Sequence, residues 1–429
     1  MTTRTIRVKD LARVEGEGGL HVSIEGDQVT QVSFTIHEPP RFFEALLVGR
    51  RYDEAPDITA RICGICPVAY QMSACAAMEY AFGAVIPAPI RDLRRLLYCG
   101  EWIESHVLHM FMLHAPDFLG YPGAVEMAQD HKALVQKVLR AKKAGNSLMT
   151  AVGGREIHPV NVRVGGFYKT PSRGQLQGLL GELRWGLEFL IEATKLTATF
   201  QFPDAEYPRE HVALSLPDEY AVVDGKIISS GGIDIGVERF DEFFEESHEQ
   251  RSNALHCAIR GRGAYMTGPV ARFNLSHSLL SPLARTTASQ CGLTPPVHNP
   301  FKSIIVRGVE TIHAFETAIG LIEKYIEPER PFVDVTPRAG VGHGATEAPR
   351  GILRHKYALD ENGFITHAVI VPPTAQNQKS IEADLLLYIQ ANLKMDDARL
   401  THGLEQAIRN YDPCISCATH AINIMIDRK

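Results

Sequence analysis

Two Cys-x-x-Cys pairs lie near opposite ends of this 429-residue chain. Cys63 and Cys66 sit in ARICGICPVAY (60–70), and Cys414 and Cys417 sit in DPCISCATH (412–420). Each pair offers two thiolates at a spacing that reaches one metal ion. If the pairs share a site, both ends of the chain must meet in its interior. Three readings compete: unconnected thiol pairs, a structural zinc site with four cysteine ligands, and a catalytic metal centre. Structural zinc usually closes a small local unit, and here 348 positions separate Cys66 from Cys414.

The other cysteines, Cys75, Cys99, Cys257 and Cys291, are scattered and read as ordinary buried thiols. Eight cysteines in all are far too few for a disulfide scaffold. A 45% hydrophobic, 22% charged composition is that of a globular protein. The net charge of −6 gives no basic face for nucleic acid. No apolar run reaches the ~18 residues of a membrane span. The N-terminus lacks a signal-peptide core, so a cytoplasmic location is expected.

Alternation of Leu20, Val22, Ile24 and of Val32, Phe34, Ile36 around Gly26-Asp27 predicts an antiparallel meander in the first 37 residues. Helical periodicity follows. Leu93, Leu96, Leu97, Ile103, Val107 and Met110 define one long face, and Leu134, Val135, Val138 and Leu139 a second. Leu176 through Ile191 define a third, opening after Pro171-Ser172, and Val309 through Ile326 a fourth. Tyr220–Ile228, with Asp224-Gly225 in the middle, reads as a hairpin. Ile352–Leu359 and Phe364–Val371 flank the turn Asp360–Gly363 and read as another. Antiparallel pairing there brings APRG (348–351) and VPPT (371–374) to the same end of the ribbon.

The residues after Cys66, through Phe82, have helix-forming composition, and a helix N-terminus favours a thiolate. Asp412-Pro413 forms a rigid turn ahead of Cys414. Taken alone, Glu15 reads as a surface turn residue, and Arg350 as a salt-bridged surface residue. His106, His109, His114 and His158 read as satisfied buried histidines. Glu79 and Asp117 read as solvated or helix-end charges.

In order along the chain stand Arg13-Val14-Glu15-Gly16, Arg61-Ile62-Cys63-Gly64-Ile65-Cys66, GREIHPVNVRVGGF (154–167), APRG (348–351), the segment PTAQN (373–377) and Asp412 through His420. With these motifs the sequence resembles the large, catalytic subunit of nickel–iron hydrogenases over nearly its whole length. The short length, the RVEGEGG opening and PRFFEA (40–45) are most similar to the cytosolic bidirectional NAD(P)-linked and sulfhydrogenase types. The resemblance implies a single mainly α domain spanning 1–429, α+β in detail, with a long-helix bundle and small peripheral antiparallel sheets. It implies that residues 421–429 are a tail removed after nickel insertion.

The implied activity is reversible heterolytic cleavage of hydrogen to protons and electrons. Cys63 and Cys414 would be terminal nickel ligands, and Cys66 and Cys417 would bridge nickel to an iron carrying carbon monoxide and cyanide. Soft thiolates suit both metals. Cys414 would take the proton first and Glu15 would relay it outward. Arg350, which cannot lose its charge, would lie over the open site beside Pro349, and Thr374 would bond a cyanide. Glu44, His420 and the backbone carbonyl of Ile370 would hold magnesium or iron, hard ligands suited to magnesium.

Tyr70 stands where many relatives carry a His that bonds a bridging sulfur, and Ser105 where many carry Asp. These departures bear on the electrostatics around the centre and leave the metal ligands intact. No further cysteine cluster and no Gly-x-Gly-x-x-Gly loop is present. Iron–sulfur clusters, flavin and NAD(P) are therefore expected only on partners. Those partners are an iron–sulfur small subunit and diaphorase subunits, with a maturation protease and nickel-insertion factors acting on the precursor. A proton-pumping or quinone-site relative of the fold would lack the cysteines. A zinc scaffold would bind zinc alone.

Overall fold

The structure is a computed structural model and describes residues 3–419. It is about 47% helical with small, mostly antiparallel sheets, a mainly α arrangement. The opening meander forms as expected: Thr3–Val8, Gly18–Glu25 and Gln28–Ile36 pair antiparallel, with Val22 opposite Val32. Leu20, Val22, Ile24, Phe34 and Ile36 are all buried on its inner face.

Four of the long helices among the described residues pack on one another. Ala88–Leu108 packs against Lys132–Gly153 and against Ser303–Glu323, which in turn packs on Leu180–Thr197. The first continues as a π-helical turn, His109–His114, a form that often marks functional ground. Leu139 is exposed; the Lys132–Gly153 helix instead buries Val138, Ala141, Ala144, Leu148 and Val152. Small residues there let two helices approach closely, so a search for large apolar side chains misplaces the stripe. The third face is split: Arg173–Gln177, with a Ser172 capping box, ends at Gly178 before Leu180–Thr197 begins. Ile326 lies beyond its helix and is exposed.

The two hairpins fare differently. Lys226–Ser229 pairs with Glu210–Ser215, not with Tyr220–Val223, which is not a strand. Tyr220 is instead drawn inward to donate to Glu310 (2.7 Å). Gly351–Leu359 does pair with Ile365–Val371. A further strand, Gly340–Ala348, pairs on its other side, with Ala348 opposite Gly351. Pro349 and Arg350 are therefore the tip of a tight hairpin.

That extra strand, GVGHGATEA, reads poorly as β because glycine packs nothing. Its glycines are there for the Pro67–Phe82 helix, which lies directly on it. A Cβ on Gly342 would run into the Ala77 carbonyl oxygen, and one on Gly344 into that of Ser73. Gly344→Ala should force helix and strand apart and cost roughly 1–3 kcal/mol. A denaturant midpoint equal to wild type would show that the contact gives way freely. Because Cys66 caps that helix, the same substitution should also displace that cysteine.

Among the described residues, no helix is long and apolar enough to cross a membrane.

Candidate metal centre

Both cysteine pairs converge in the interior. The four sulfurs lie within 4.8 Å of one another, and all four residues are buried. Cys63 Sγ is 3.4 Å from Cys414 Sγ, and Cys66 Sγ is 3.6 Å from Cys417 Sγ. Cys66 caps the Pro67–Phe82 helix, so its thiol sits at the positive end of the dipole. The backbone N–H groups of Ile65 and Cys66 donate to Cys63 Sγ at 3.2 and 3.3 Å. Contact with Cys414, then Cys417 and Cys66, holds Cys63 well below an ordinary thiol. Burial, then the neighbouring thiols, pushes Cys414 well up. Four thiolates cannot share so small a volume without a cation to neutralise them.

The strand-like opening of the chain brings Glu15 to this centre. Glu15 and Cys414 form an isolated parallel bridge, and Ile415 N–H donates to the Glu15 carbonyl (2.9 Å). The Glu15 carboxylate accepts from Ser416 N–H (3.0 Å) and lies 3.1 Å from Cys414 Sγ. Gly16 makes this approach possible. It has φ +88°, and a Cβ there would fall 2.7 Å from Ile415 Cβ. Gly18 also faces Ile415, whereas Gly19 packs on Val8 and Lys9, away from the site.

Arg350 and Thr374 come in together, as the ribbon argument requires. Cys414 N–H donates to Thr374 Oγ1 (3.0 Å). Arg350 Nε donates to the Asp412 carbonyl (2.7 Å), and Nη2 pairs with the Asp412 carboxylate (3.1 Å). Arg350 is buried, so the surface reading fails. Burial alone would weaken its charge; Asp412, then Cys414, Cys66 and Cys63, more than offset that. Its Nη1 is buried with no hydrogen-bond partner. A donor left over beside four sulfurs suits a site that holds a group able to accept it. Tyr70 is also buried here, and burial followed by Cys417 and Cys66 pushes its hydroxyl well up.

Glu44 Oε1 accepts from Ile370 N–H (2.7 Å), so these two expected ligands are neighbours. His420 and the tail lie outside the described residues.

Several contributors carried no sequence signal. Glu101, from the Ala88–Leu108 helix, accepts from Val68 N–H (2.7 Å) and Ala69 N–H (3.2 Å), completing the N-terminus of the cysteine helix. Arg272 is wholly buried. It donates to Glu310 (2.7 Å) and Glu347 (2.8 Å), and to the carbonyls of Ala348 (2.9 Å) and Pro349 (3.1 Å). It thereby clamps the hairpin tip that carries Arg350. Glu79 and Asp117 are not solvated. Glu79 is bonded to Arg94 (2.6 and 2.8 Å) and Gly165 N–H, and Asp117 is held by Arg409 (2.7 Å) and Arg13. A lone acidic letter does not reveal an arginine that arrives from a distant segment.

The histidines are buried but unevenly satisfied. His106 bonds Glu310 (3.0 Å), His109 Nε2 donates to the Arg409 carbonyl (2.8 Å), and half-buried His158 bonds the Ala60 carbonyl (2.8 Å). Neither ring nitrogen of His114 finds a partner. Burial lowers His106 and His313 to about 4 and His114 to about 3. The unfolded chain takes up these protons near pH 6.5, and the folded chain does not until well below. Stability is thus complete above that pH and falls as the solution is acidified. Each such histidine costs roughly 2 kcal/mol by pH 5. Urea midpoints measured between pH 7 and pH 5 should drop steeply; a flat profile would mean that these rings are hydrated or paired.

Taken together, the fold and the site bring four cysteines from both ends of one chain into a single buried cluster whose donor set suits a soft metal. The nickel-dependent hydrogenase family matches residues 41–169 and 276–420. The chain is 34% identical over 424 residues to the sulfhydrogenase 1 alpha subunit of Pyrococcus furiosus, covering 98% of each. It is 26% identical over 481 residues to the beta subunit of the NAD-reducing hydrogenase HoxS of Cupriavidus necator, covering 99% of this chain and 96% of that one. A crystal structure of an NAD+-reducing NiFe hydrogenase in the H2-reduced state matches with a TM-score of 0.87 at 27% identity, covering 97% of this chain and 99% of that chain. The chain belongs to the nickel-dependent hydrogenases and is a large, catalytic subunit of that family.

Proposed function

We propose that this subunit oxidises and produces hydrogen at a nickel–iron centre held by Cys63, Cys66, Cys414 and Cys417. The single observation that carries the reading is the convergence of those four sulfurs within 4.8 Å. Nickel and iron bound to these four thiolates, the iron with carbon monoxide and cyanide, would supply the redox chemistry of heterolytic cleavage. The chain's own residues do the rest. Cys414 Sγ receives the proton and passes it to the Glu15 carboxylate, 3.1 Å away. Arg350 keeps a fixed positive charge over the centre, with Pro349 setting the turn that presents it. Thr374 offers its hydroxyl to a cyanide. Glu44, the Ile370 carbonyl and His420 would hold a magnesium or iron ion.

Electrons leave through an iron–sulfur small subunit, and onward to NAD(P) or another soluble acceptor on diaphorase subunits. The NAD-reducing and sulfhydrogenase relatives support that route. The chain is made as one cytoplasmic domain spanning 1–429, of which 421–429 is a removable tail. A protease trims residues 421–429 once nickel-insertion factors have finished. Intact mass of active, nickel-loaded protein should end at His420; a mass that includes Lys429 would reject the trimming.

Metal analysis and infrared spectroscopy test the centre directly. Nickel and iron in near-equal amounts, with bands of metal-bound carbon monoxide and cyanide, are the expected result. Zinc alone would favour the scaffold reading. Cys63→Ala or Cys414→Ala should abolish nickel retention, read by elemental analysis of the purified chain. Full nickel content in either variant would contradict the ligand assignment.

A further inference from the structure

The two cysteine loops come from opposite ends of the chain, and one arginine joins them. Arg41 Nη2 donates to the carbonyl of Ile62 (2.7 Å), the residue before Cys63. The same nitrogen donates to the carbonyl of Ser416, the residue before Cys417. The backbone N–H of Arg41 also donates to the carbonyl of Thr419 (2.8 Å). Its guanidinium rests over the Phe43 ring, 5.4 Å from the centroid, which steadies the side chain.

We propose that Arg41 is a positioning residue that sets the spacing between the two halves of the metal site. It touches no sulfur. It acts through two peptide carbonyls, each one bond upstream of a ligand residue. Bonds from a charged donor are about twice as strong as neutral ones. Here both come from one nitrogen, so neither carbonyl can move away without breaking its bond to a shared point. Inside either loop, Cys-x-x-Cys spacing is set by local backbone geometry. Between the loops, Arg41 supplies a link that neither loop supplies for itself. Removing it should therefore loosen distances across the loops and spare those within them.

The inference rests on the reading that the four cysteines hold the metals. The test uses the full-length chain with Arg41→Met, Arg41→Gln and Arg41→Lys. Arg41 is only half-buried, so none of these leaves a closed void, and Gln serves should the Met variant not fold. In nickel-free protein, diamide oxidation followed by peptide mapping counts disulfides across the loops (Cys63–Cys414, Cys66–Cys417). It also counts those within them (Cys63–Cys66, Cys414–Cys417). General destabilisation would move both classes alike. The expected result is a cross-loop to within-loop ratio at least tenfold lower in the Met and Gln variants. The Lys variant should recover most of the ratio, because one ammonium also offers several donors.

In assembled, metal-loaded enzyme, nickel release to a chelator should be about 10- to 100-fold faster for Met and Gln, the usual cost of losing an outer-shell partner. A ratio within twofold of wild type, or unchanged nickel release, would overturn the proposal. Wild-type chain that binds no nickel would instead defeat the metal reading beneath it.

Discussion

A Glu15→Gln enzyme loaded with nickel and iron should lose hydrogen oxidation, and hydrogen–deuterium exchange with solvent, by about 10²- to 10⁴-fold, the range of a lost proton-transfer group. Glutamine keeps the volume of the side chain. It can still accept from Ser416 N–H, which now bonds the Glu15 carboxylate at 3.0 Å. The backbone bond from Ile415 N–H to the Glu15 carbonyl is untouched. Position 15 therefore stays docked on the cysteine loop, and metal content and diatomic infrared bands should be those of wild type. The one property removed is the ability to take a proton from Cys414 Sγ, 3.1 Å away, and release it. Near wild-type exchange by a metal-replete variant would reject the relay and direct attention to a water chain.

The second large effect belongs to Arg272. Replacing it by Met leaves Glu310 and Glu347, both wholly buried, without the cation that separates them. Burial alone would raise Glu310; Arg272 and His106 override it and hold the carboxyl well below its usual range. Burial pushes Glu347 up to about 7 even with Arg272 in place. Breaking a buried pair by removing one partner typically costs about 3–5 kcal/mol, and Arg272→Met should lose about that much in urea unfolding. It should also free the carbonyls of Ala348 and Pro349 and so disturb Arg350 at the hairpin tip. A loss below about 1 kcal/mol would mean that water or Tyr220 takes over the two carboxylates. Lysine at 272 would reach one carboxylate but not form the planar fork that now serves Glu310 through two nitrogens.

Large parts of this arrangement are legible in the residues themselves. The opening meander, the Cys66-capped helix and the hairpin at 351–371 each announce themselves by alternation, periodicity or turn chemistry, because those signals come from neighbours in sequence. The same logic explains the failures. Tyr220–Val223 alternates like a strand, yet Glu310 draws Tyr220 inward. Gly340–Ala348 pairs as a strand despite its glycines, because a helix from elsewhere requires the room. Glu79 and Asp117 look like surface charges until Arg94 and Arg409 are seen beside them.

Residue identity and spacing determined the donor set: two thiol pairs of a kind that soft metals require, a carboxylate in a glycine-rich opening, and an arginine in a Pro-Arg-Gly turn. Motif order determined the family. Only the tertiary structure decided that Arg41 ties the two cysteine loops together, that Asp412 anchors Arg350, and that Arg272 clamps the tip carrying it. The division has a physical cause. Ligand chemistry resides in single side chains and short spacings, which the chain writes locally. A hydrogen bond from a guanidinium to a backbone carbonyl tens to hundreds of residues away leaves no mark on the carbonyl's own side chain, so nothing in the letters around Ile62 or Ser416 discloses which arginine will arrive.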